Sequence, residues 1–160
     1  MRRILSALAI LVLGALGAAP SNGDWKKLES LVGSWQGTAG GQPVSVTYAL
    51  VSNGTALMET LDSGHDANMI TMYTPDGTSI LATHYCAGGN QPRMRAKASA
   101  DGRSIDFQFV DVSNVAESTG EVMQRLVVTF VDADHFNQQW TSRGKDGKEQ
   151  ANVFQYTRRK

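Results

Sequence analysis

The chain has 160 residues, with 15 lysines and arginines against 15 aspartates and glutamates, so its formal net charge is zero. This balance argues against a nucleic-acid clamp, which needs a basic face to neutralise phosphates. The single cysteine excludes an intrachain disulfide and a metal or iron–sulfur site built only from thiolates of one chain. With 41 % hydrophobic residues, the chain supplies one modest core rather than two full domains.

The N-terminus has the layout of a secretory signal peptide. Arg2 and Arg3 make a basic start, residues 4–16 form an apolar run, and small residues follow. The run is shorter than the roughly 20 residues that a membrane-spanning helix needs. The sequence therefore predicts a signal peptide over residues 1–21, a mature domain over residues 22–160 and a periplasmic or secreted location. An uncleaved N-terminal anchor is the alternative, and no membrane span is expected after the signal is removed.

The mature domain begins with one short predicted helix. Apolar residues between Trp25 and Val32 recur at helical spacing. Asn22 or Asp24 can cap its start, and Gly33 can close its end. We expect this helix, Trp25–Val32, to plug one end of the fold.

After the helix, nearly every segment alternates apolar and polar residues, as half-buried β-strands do. Asn-Gly or Asp-Gly pairs, which favour two-residue hairpin turns, occupy residues 53–54, 76–77, 101–102 and 146–147. The predicted strands are Ser34–Ala39, Val44–Val51, Thr55–Asp62, Met69–Thr74, Ser79–Cys86, Arg93–Ser99, Ser104–Val110, Met123–Val131, His135–Arg143 and Glu149–Arg158. Because closure removes exposed strand edges, the expected fold is all-β: an antiparallel up-and-down β-barrel of about ten strands with one short N-terminal helix.

The turn positions also predict which side chains share a face. A turn at residues 53–54 places Tyr48 opposite Glu59. That face also carries apolar side chains and is expected to be buried: Val46, Leu50, Leu57 and Leu61. A turn at residues 101–102 predicts an inward face made of Met94, Ala96, Ala98, Ile105, Phe107 and Phe109. For the hairpin spanning residues 69–86 both faces are mixed, so the inward face stays open.

The start of the first strand carries a family resemblance. Gly33, Ser34 and Trp35 follow the short helix, which resembles the Gly-x-Trp signature of the calycins, the superfamily of lipocalins, fatty-acid-binding proteins and nitrobindins. In many calycins an arginine of the last strand packs on this tryptophan. The resemblance implies that role for Arg158 or Arg159, through a cation–π contact.

A second resemblance covers most of the mature chain. Residues 53–59, 71–73 and 83–94 look like a group of secreted bacterial proteins of unassigned function, which implies a barrel but no agreed chemistry. Nitrobindins take haem through a histidine on a late strand. The last predicted strand here, Glu149–Arg158, has no histidine, which counts against transferring that role.

Two groups of side chains are candidates for a site. His84 and Cys86 project to one side of a strand end, before a glycine-rich loop of the kind that carries function at barrel mouths. They can bind a soft metal or haem iron, act as base and nucleophile, or simply be a hydrogen-bonded imidazole and a buried thiol. Tyr48 and Glu59 can anchor a ligand, serve in acid–base catalysis, or form a structural hydrogen bond in a wet interior. The predicted ligand-binding residues are Tyr48, Glu59, His84, Cys86, Asn90, Gln91, Met94 and Trp140.

Three classes of function fit this sequence. The first is a secreted or periplasmic barrel that holds a small, largely apolar or amphipathic molecule without a cofactor or nucleic acid. The second is a barrel-cavity enzyme, an isomerase, lyase or hydrolase using Glu59, Tyr48 and His84. The third is a haem- or metal-binding envelope protein that uses His84. The ligand-binding barrel is the primary prediction because it requires only a cavity, and no catalytic or metal-binding residue is assigned.

Overall fold

The computed structural model describes residues 23–64, 69–98, 102–115 and 120–160. The predicted signal peptide lies outside these ranges, and no helix within them is long and apolar enough to cross a membrane. The described elements are α1 (Gly23–Glu29), β1 (Gly33–Ala39), β2 (Gln42–Val51), a single 3-10 turn (Ser52–Gly54), β3 (Ala56–Asp62), β4 (Met69–Asp76), β5 (Ser79–Tyr85), β6 (Gln91–Ala98), β7 (Ser104–Ser113), β8 (Val122–Phe130), β9 (His135–Arg143) and β10 (Glu149–Arg158).

The strands form a closed up-and-down barrel. Each strand pairs antiparallel with the next along the chain, and β1 pairs with β10 to close the sheet. This confirms the predicted fold class, and every predicted strand is present. The helix ends earlier than expected, at Glu29, because Leu31 and Val32 bond to the carbonyls three residues before them and tighten the chain into a turn.

The hairpin of β6 and β7 has the predicted register. Met94 pairs with Phe109, and the other predicted pairs follow. Met94, Ile105 and Phe107 are fully buried, which confirms their inward direction, whereas the burial of Ala98 lies outside what is described. The prediction that Phe109 lies inside the barrel is wrong, because this residue is 37 % exposed. The ladder between β7 and β8 ends one residue earlier, at Gln108, so Phe109 is paired with β6 but not with β8.

The hairpin of β2 and β3 also follows the prediction. Tyr48 pairs with Glu59, and both side chains are buried. Asn53 and Gly54 have φ of 57° and 81°, as the two central residues of a type I′ turn require. The prediction that Leu50 is buried is wrong, since this residue is 43 % exposed. It lies beside the turn, where the barrel wall ends.

The structure settles the inward face of the hairpin of β4 and β5. Its buried side chains are Thr71, Tyr73, Ile80, Ala82 and His84. Asp76 pairs with Ser79, so the turn is centred on residues 77–78 and not on 76–77 as expected. A turn moved by one residue moves each pairing by two, which leaves the division into faces unchanged.

The helix end of the barrel is closed around Trp35. The Trp35 Nε1 donates to the Leu31 carbonyl at 2.7 Å, and the side chain is 1 % exposed. The Arg158 guanidinium carbon lies 4.0 Å from the centroid of the Trp35 ring. Of the two arginines that the calycin resemblance implied, Arg158 therefore makes the contact. Gly37 lets β1 approach β10, because a Cβ there would lie 1.9 Å from the Gln155 carbonyl oxygen.

Candidate functional site

A small pocket opens at the end of the barrel opposite α1. We call it the far-end pocket; it has a volume of about 50 Å³ and is lined by Leu61, Met69, His84, Met123, Trp140, Asn152 and Phe154. This is room for about three or four water molecules, so only a group of a few heavy atoms fits inside. A larger groove of about 530 Å³ runs along the β9–β10 turn, but it is flanked mainly by exposed charged side chains such as Lys145 and Lys148.

His84 is the polar residue buried in the wall of this pocket. Only 3 % of it is exposed, its Nδ1 lies 2.9 Å from the Thr71 Oγ1, and its ring centroid lies 4.6 Å from that of Trp140. Burial lowers the pKa of His84 to about 4, so the imidazole is neutral at pH 7. Its Nε2 is buried and has no hydrogen-bond partner in the part of the chain that the structure describes.

Glu59 lies deeper in the barrel, where it is 1 % exposed. Its Oε2 accepts hydrogen bonds from the Tyr48 hydroxyl at 3.0 Å, the Tyr73 hydroxyl at 2.5 Å and the Gln138 Nε2 at 2.9 Å. Burial raises the pKa of Glu59 although these hydrogen bonds act to lower it. Burial, together with the nearby Glu59 charge, raises the pKa of Tyr48 and Tyr73 well above its ordinary value.

The Glu59 cluster and the far-end pocket are connected. The Trp140 Nε1 donates to the Gln138 Oε1 at 3.3 Å, and the Gln138 Nε2 also donates to the Tyr48 hydroxyl at 2.9 Å. The predicted residues Tyr48, Glu59, His84 and Trp140 therefore lie in one interior, and closure of the barrel brings them together. Glu59 itself does not line the pocket, so a molecule held there does not touch its carboxyl group.

Three members of this interior were not among the predicted ligand-binding residues: Thr71, Tyr73 and Gln138. Thr71 and Tyr73 share a sheet face with His84, but that face mixes polar and apolar residues. The sequence therefore did not indicate whether it points into the barrel. Gln138 lies on β9, a strand far from Glu59 in the chain. Its alternation with Phe136 and Trp140 in the sequence suggests a polar position in the interior, but does not indicate a ligand contact.

The remaining predicted residues lie elsewhere. The Cys86 Sγ accepts a hydrogen bond from the Gly88 backbone N at 3.4 Å, and Gln91 donates to the Gly89 carbonyl at 2.9 Å. Asn90 is fully buried and donates to the Glu121 carbonyl at 2.7 Å. Met94 belongs to the barrel core. None of these side chains lines the far-end pocket, and their predicted ligand contacts stay predictions.

The donor set of the pocket suits a soft metal better than a hard one. Within the described ranges no three His, Cys, Asp or Glu side chains come close enough to share a metal ion. Met69 and Met123 line the pocket with His84, and thioether and imidazole groups are ligands of soft ions. Haem does not fit these residues, because a porphyrin is far larger than a cavity of about 50 Å³.

Comparison with known proteins supports the fold. No family model and no curated protein sequence matches this chain. The chain is similar to the crystal structure of Rv2717c from M. tuberculosis, with 15 % identity and a TM-score of 0.60, over 84 % of this chain and 96 % of that one. It is also similar to a protein of unknown function from the DUF3598 family of Nostoc punctiforme, with 11 % identity and a TM-score of 0.55. That match covers 82 % of this chain and 49 % of the other, about half its length. At these identities the likeness shows the barrel fold alone.

Proposed function

We propose that this chain is an exported, calycin-type barrel that binds a small, largely apolar molecule in the far-end pocket. The observation that carries the proposal is the buried Nε2 of His84, which has no partner among the described residues. Leaving a buried polar nitrogen without a hydrogen bond is unfavourable. A ligand with one polar group beside an apolar body relieves that cost and covers the pocket wall.

The lining defines the body of the ligand. Leu61, Trp140 and Phe154 present aliphatic and aromatic surface, and Met69 and Met123 add unbranched thioethers that adapt to different shapes. Because the pocket holds only a few heavy atoms, it takes the end of an amphipathic molecule while the remainder lies outside. This is binding chemistry and needs no catalytic residue.

The binding proposal can be tested with a small alcohol and methionine methyl NMR. Titration of the mature protein with 1-butanol should shift the methyl signals of Met69 and Met123, which line the pocket, and leave that of the core residue Met94 unchanged. His84→Phe keeps a ring against Trp140 but removes Nε2, and it should weaken binding. His135→Phe, the same change at an exposed histidine, is the matched control. Methyl shifts spread evenly over all methionines, or none at all, would contradict the proposal.

Export is the second part of the proposal and rests on the N-terminal pattern. N-terminal sequencing of protein recovered from the cell envelope or culture fluid should show that the first 21 residues, or about that number, have been removed. Intact Met1 in a cytosolic fraction would contradict export without touching the pocket.

A second candidate function is soft-metal binding at the same pocket. The observation in its favour is that His84, Met69 and Met123 line one cavity. Cu(I) added under reducing conditions should then bind with one equivalent per chain, and the Met69→Leu/Met123→Leu double variant should lose it. Binding of 1-butanol without Cu(I) binding supports the first candidate.

A further inference from the structure

The outer surface of the barrel differs in charge between its two sides. Strands β1 to β5 contain three carboxylates, Glu59, Asp62 and Asp76, and no lysine or arginine. Glu59 is buried in the interior, and Asp62 and Asp76 are the last residues of their strands. Strands β6 to β10 contain nine lysine, arginine, aspartate and glutamate residues. The outer surface of β1 to β5 is therefore uncharged between the strand ends.

On this uncharged side, the outward side chains of β3, β4 and β5 are mostly apolar. Their neighbours along each strand, such as Glu59, Thr71 and His84, are buried, so the residues between them point outward. Met58 pairs with Met72, and Ile70 pairs with Tyr85, so these side chains form one continuous surface. We call it the apolar outer face; threonines fill its remaining positions, and its large side chains, all partly or fully exposed, are Met58, Ile70, Met72, Leu81 and Tyr85.

Polar or small side chains border the apolar outer face on both sides. On β2, the outward residues Thr47 and Ala49 are small and uncharged. On β6, Arg93 and Arg95 each form an ion pair with an aspartate. An apolar centre without charges, inside a polar border, is the composition of a protein–protein interface. A membrane surface instead attracts unpaired basic side chains beside an apolar face, and these two arginines are already paired.

We propose that two copies of this chain pack through the apolar outer face as a two-fold symmetric dimer. In such a dimer the same surface lies on both sides of the interface, so a charge near the axis faces an identical charge. A surface without charges avoids this repulsion, and its apolar side chains leave water on association. Because β4 is the middle strand of the face, Met72 lies near the axis. The inference does not rest on the far-end pocket, which is lined by other side chains.

The size of the surface suits a reversible dimer. Strands lie about 4.8 Å apart and rise about 3.3 Å per residue, so the outer surface of β2 to β6 spans about 20 Å by about 23 Å. This gives a projected area of about 460 Å², and side chains make the accessible area larger. Stable complexes bury about 800 Å² per partner and transient ones less. We therefore expect a dissociation constant of about 10 μM.

Sedimentation equilibrium of the mature protein tests the dimer. It should be mostly dimeric tenfold above this concentration and mostly monomeric tenfold below it. Met72→Glu brings two like charges together near the axis and should raise the dissociation constant at least about 100-fold. Val153→Glu adds the same charge at a 47 % exposed valine on β10, away from the face, and should leave the dissociation constant unchanged. An equal effect of the two substitutions, or none from Met72→Glu, would overturn the proposed interface.

Methionine methyl NMR examines the same interface in the unsubstituted protein, so it decides the question even if Met72→Glu fails to fold. On dilution through the expected dissociation constant, the signals of Met58 and Met72 should shift. Those of Met69, Met94 and Met123, which lie in the pocket or the core, should stay in place. A protein that remains monomeric at every concentration overturns the proposal. Binding of that monomer to phosphatidylcholine vesicles would then assign the apolar outer face to a membrane surface instead.

Discussion

At the residue scale, two buried titratable groups have pKa values that burial moves in opposite directions. Burial raises the pKa of Glu59 and lowers that of His84 to about 4, because in each case the low-dielectric interior favours the neutral form. Glu59 accepts hydrogen bonds from its neighbours. His84 keeps an uncharged nitrogen beside an apolar pocket.

His84 gives the fold a defined sensitivity to acid. Its ordinary pKa of 6.5 falls to about 4 in the folded state, so the unfolded chain binds the proton more tightly. Stability that is present above pH 6.5 is therefore lost as the pH falls towards 4, by about 3 kcal/mol in total. His84→Phe removes this titration. We expect its cost in free energy of unfolding, measured with urea, to be about 3 kcal/mol smaller at pH 4 than at pH 7.

Comparing the His84→Phe variant with the unsubstituted protein isolates the effect of His84 titration on stability. The raised pKa of Glu59 has the opposite effect on stability in this range, but Glu59 is present in both chains and its contribution cancels to first order. Phe107→Ala alters a side chain that does not titrate, so its cost should be equal at the two pH values. An unchanged cost of His84→Phe would mean that His84 accepts a proton in the folded barrel.

At the element scale, the hairpin of β6 and β7 offers the same residue type in two environments. Phe107 is fully buried, with its ring centroid 5.4 Å from that of Tyr73, whereas Phe109 is 37 % exposed on the same face. Phe107→Ala should cost about 3–5 kcal/mol because it leaves a cavity. Phe109→Ala should cost less than about 1.5 kcal/mol because solvent already reaches its ring. Urea unfolding of the two variants tests this, and equal costs would contradict the observed end of the β7–β8 ladder.

The same hairpins show what sequence can predict about an element. Turn residues fixed the register of Tyr48 with Glu59 and of Ala96 with Phe107, because a two-residue turn leaves one possible pairing. Register gives the face but not the depth, so it failed for Leu50, next to the end of β2, and for Phe109, beyond the end of the β7–β8 ladder. The inward face of β4 and β5 was not predictable, because a polar interior removes the apolar alternation that marks it.

At the scale of the whole molecule, the barrel was predictable and its interior only in part. Ten alternating segments with turn signals favour closure, which the β1–β10 pairing confirms. The meeting of Glu59, Tyr73 and Gln138 depends on β3, β4 and β9 facing one another across the interior. Of these contacts only a pairing between adjacent strands follows from a turn; the contact with β9 exists because the sheet closes. No local pattern in the sequence contains that information.

Closure of the molecule depends on Arg158 at the seam between β1 and β10. Its guanidinium covers the Trp35 ring and donates to the carbonyls of Ser30, Val32 and Ala133, at 2.8, 3.1 and 3.2 Å. One side chain thus ties together the turn after α1, the turn after β8 and the last strand. A lysine has neither the planar surface nor the spread of donors to replace it.

Arg158→Lys should therefore lower the free energy of unfolding by about 1–3 kcal/mol, although the charge is kept. Arg159→Lys is the matched control. We expect no loss of stability when its exposed side chain is changed. The contact described for Arg159 is made by its backbone N, which donates to the Ser34 carbonyl at 2.9 Å. Since the far-end pocket lies at the opposite end of the barrel, folded Arg158→Lys protein should still show the Met69 and Met123 methyl shifts with 1-butanol. Equal stability of the two lysine variants would mean that Arg158 closes the barrel through its charge alone, and not through the stack and the three carbonyl contacts.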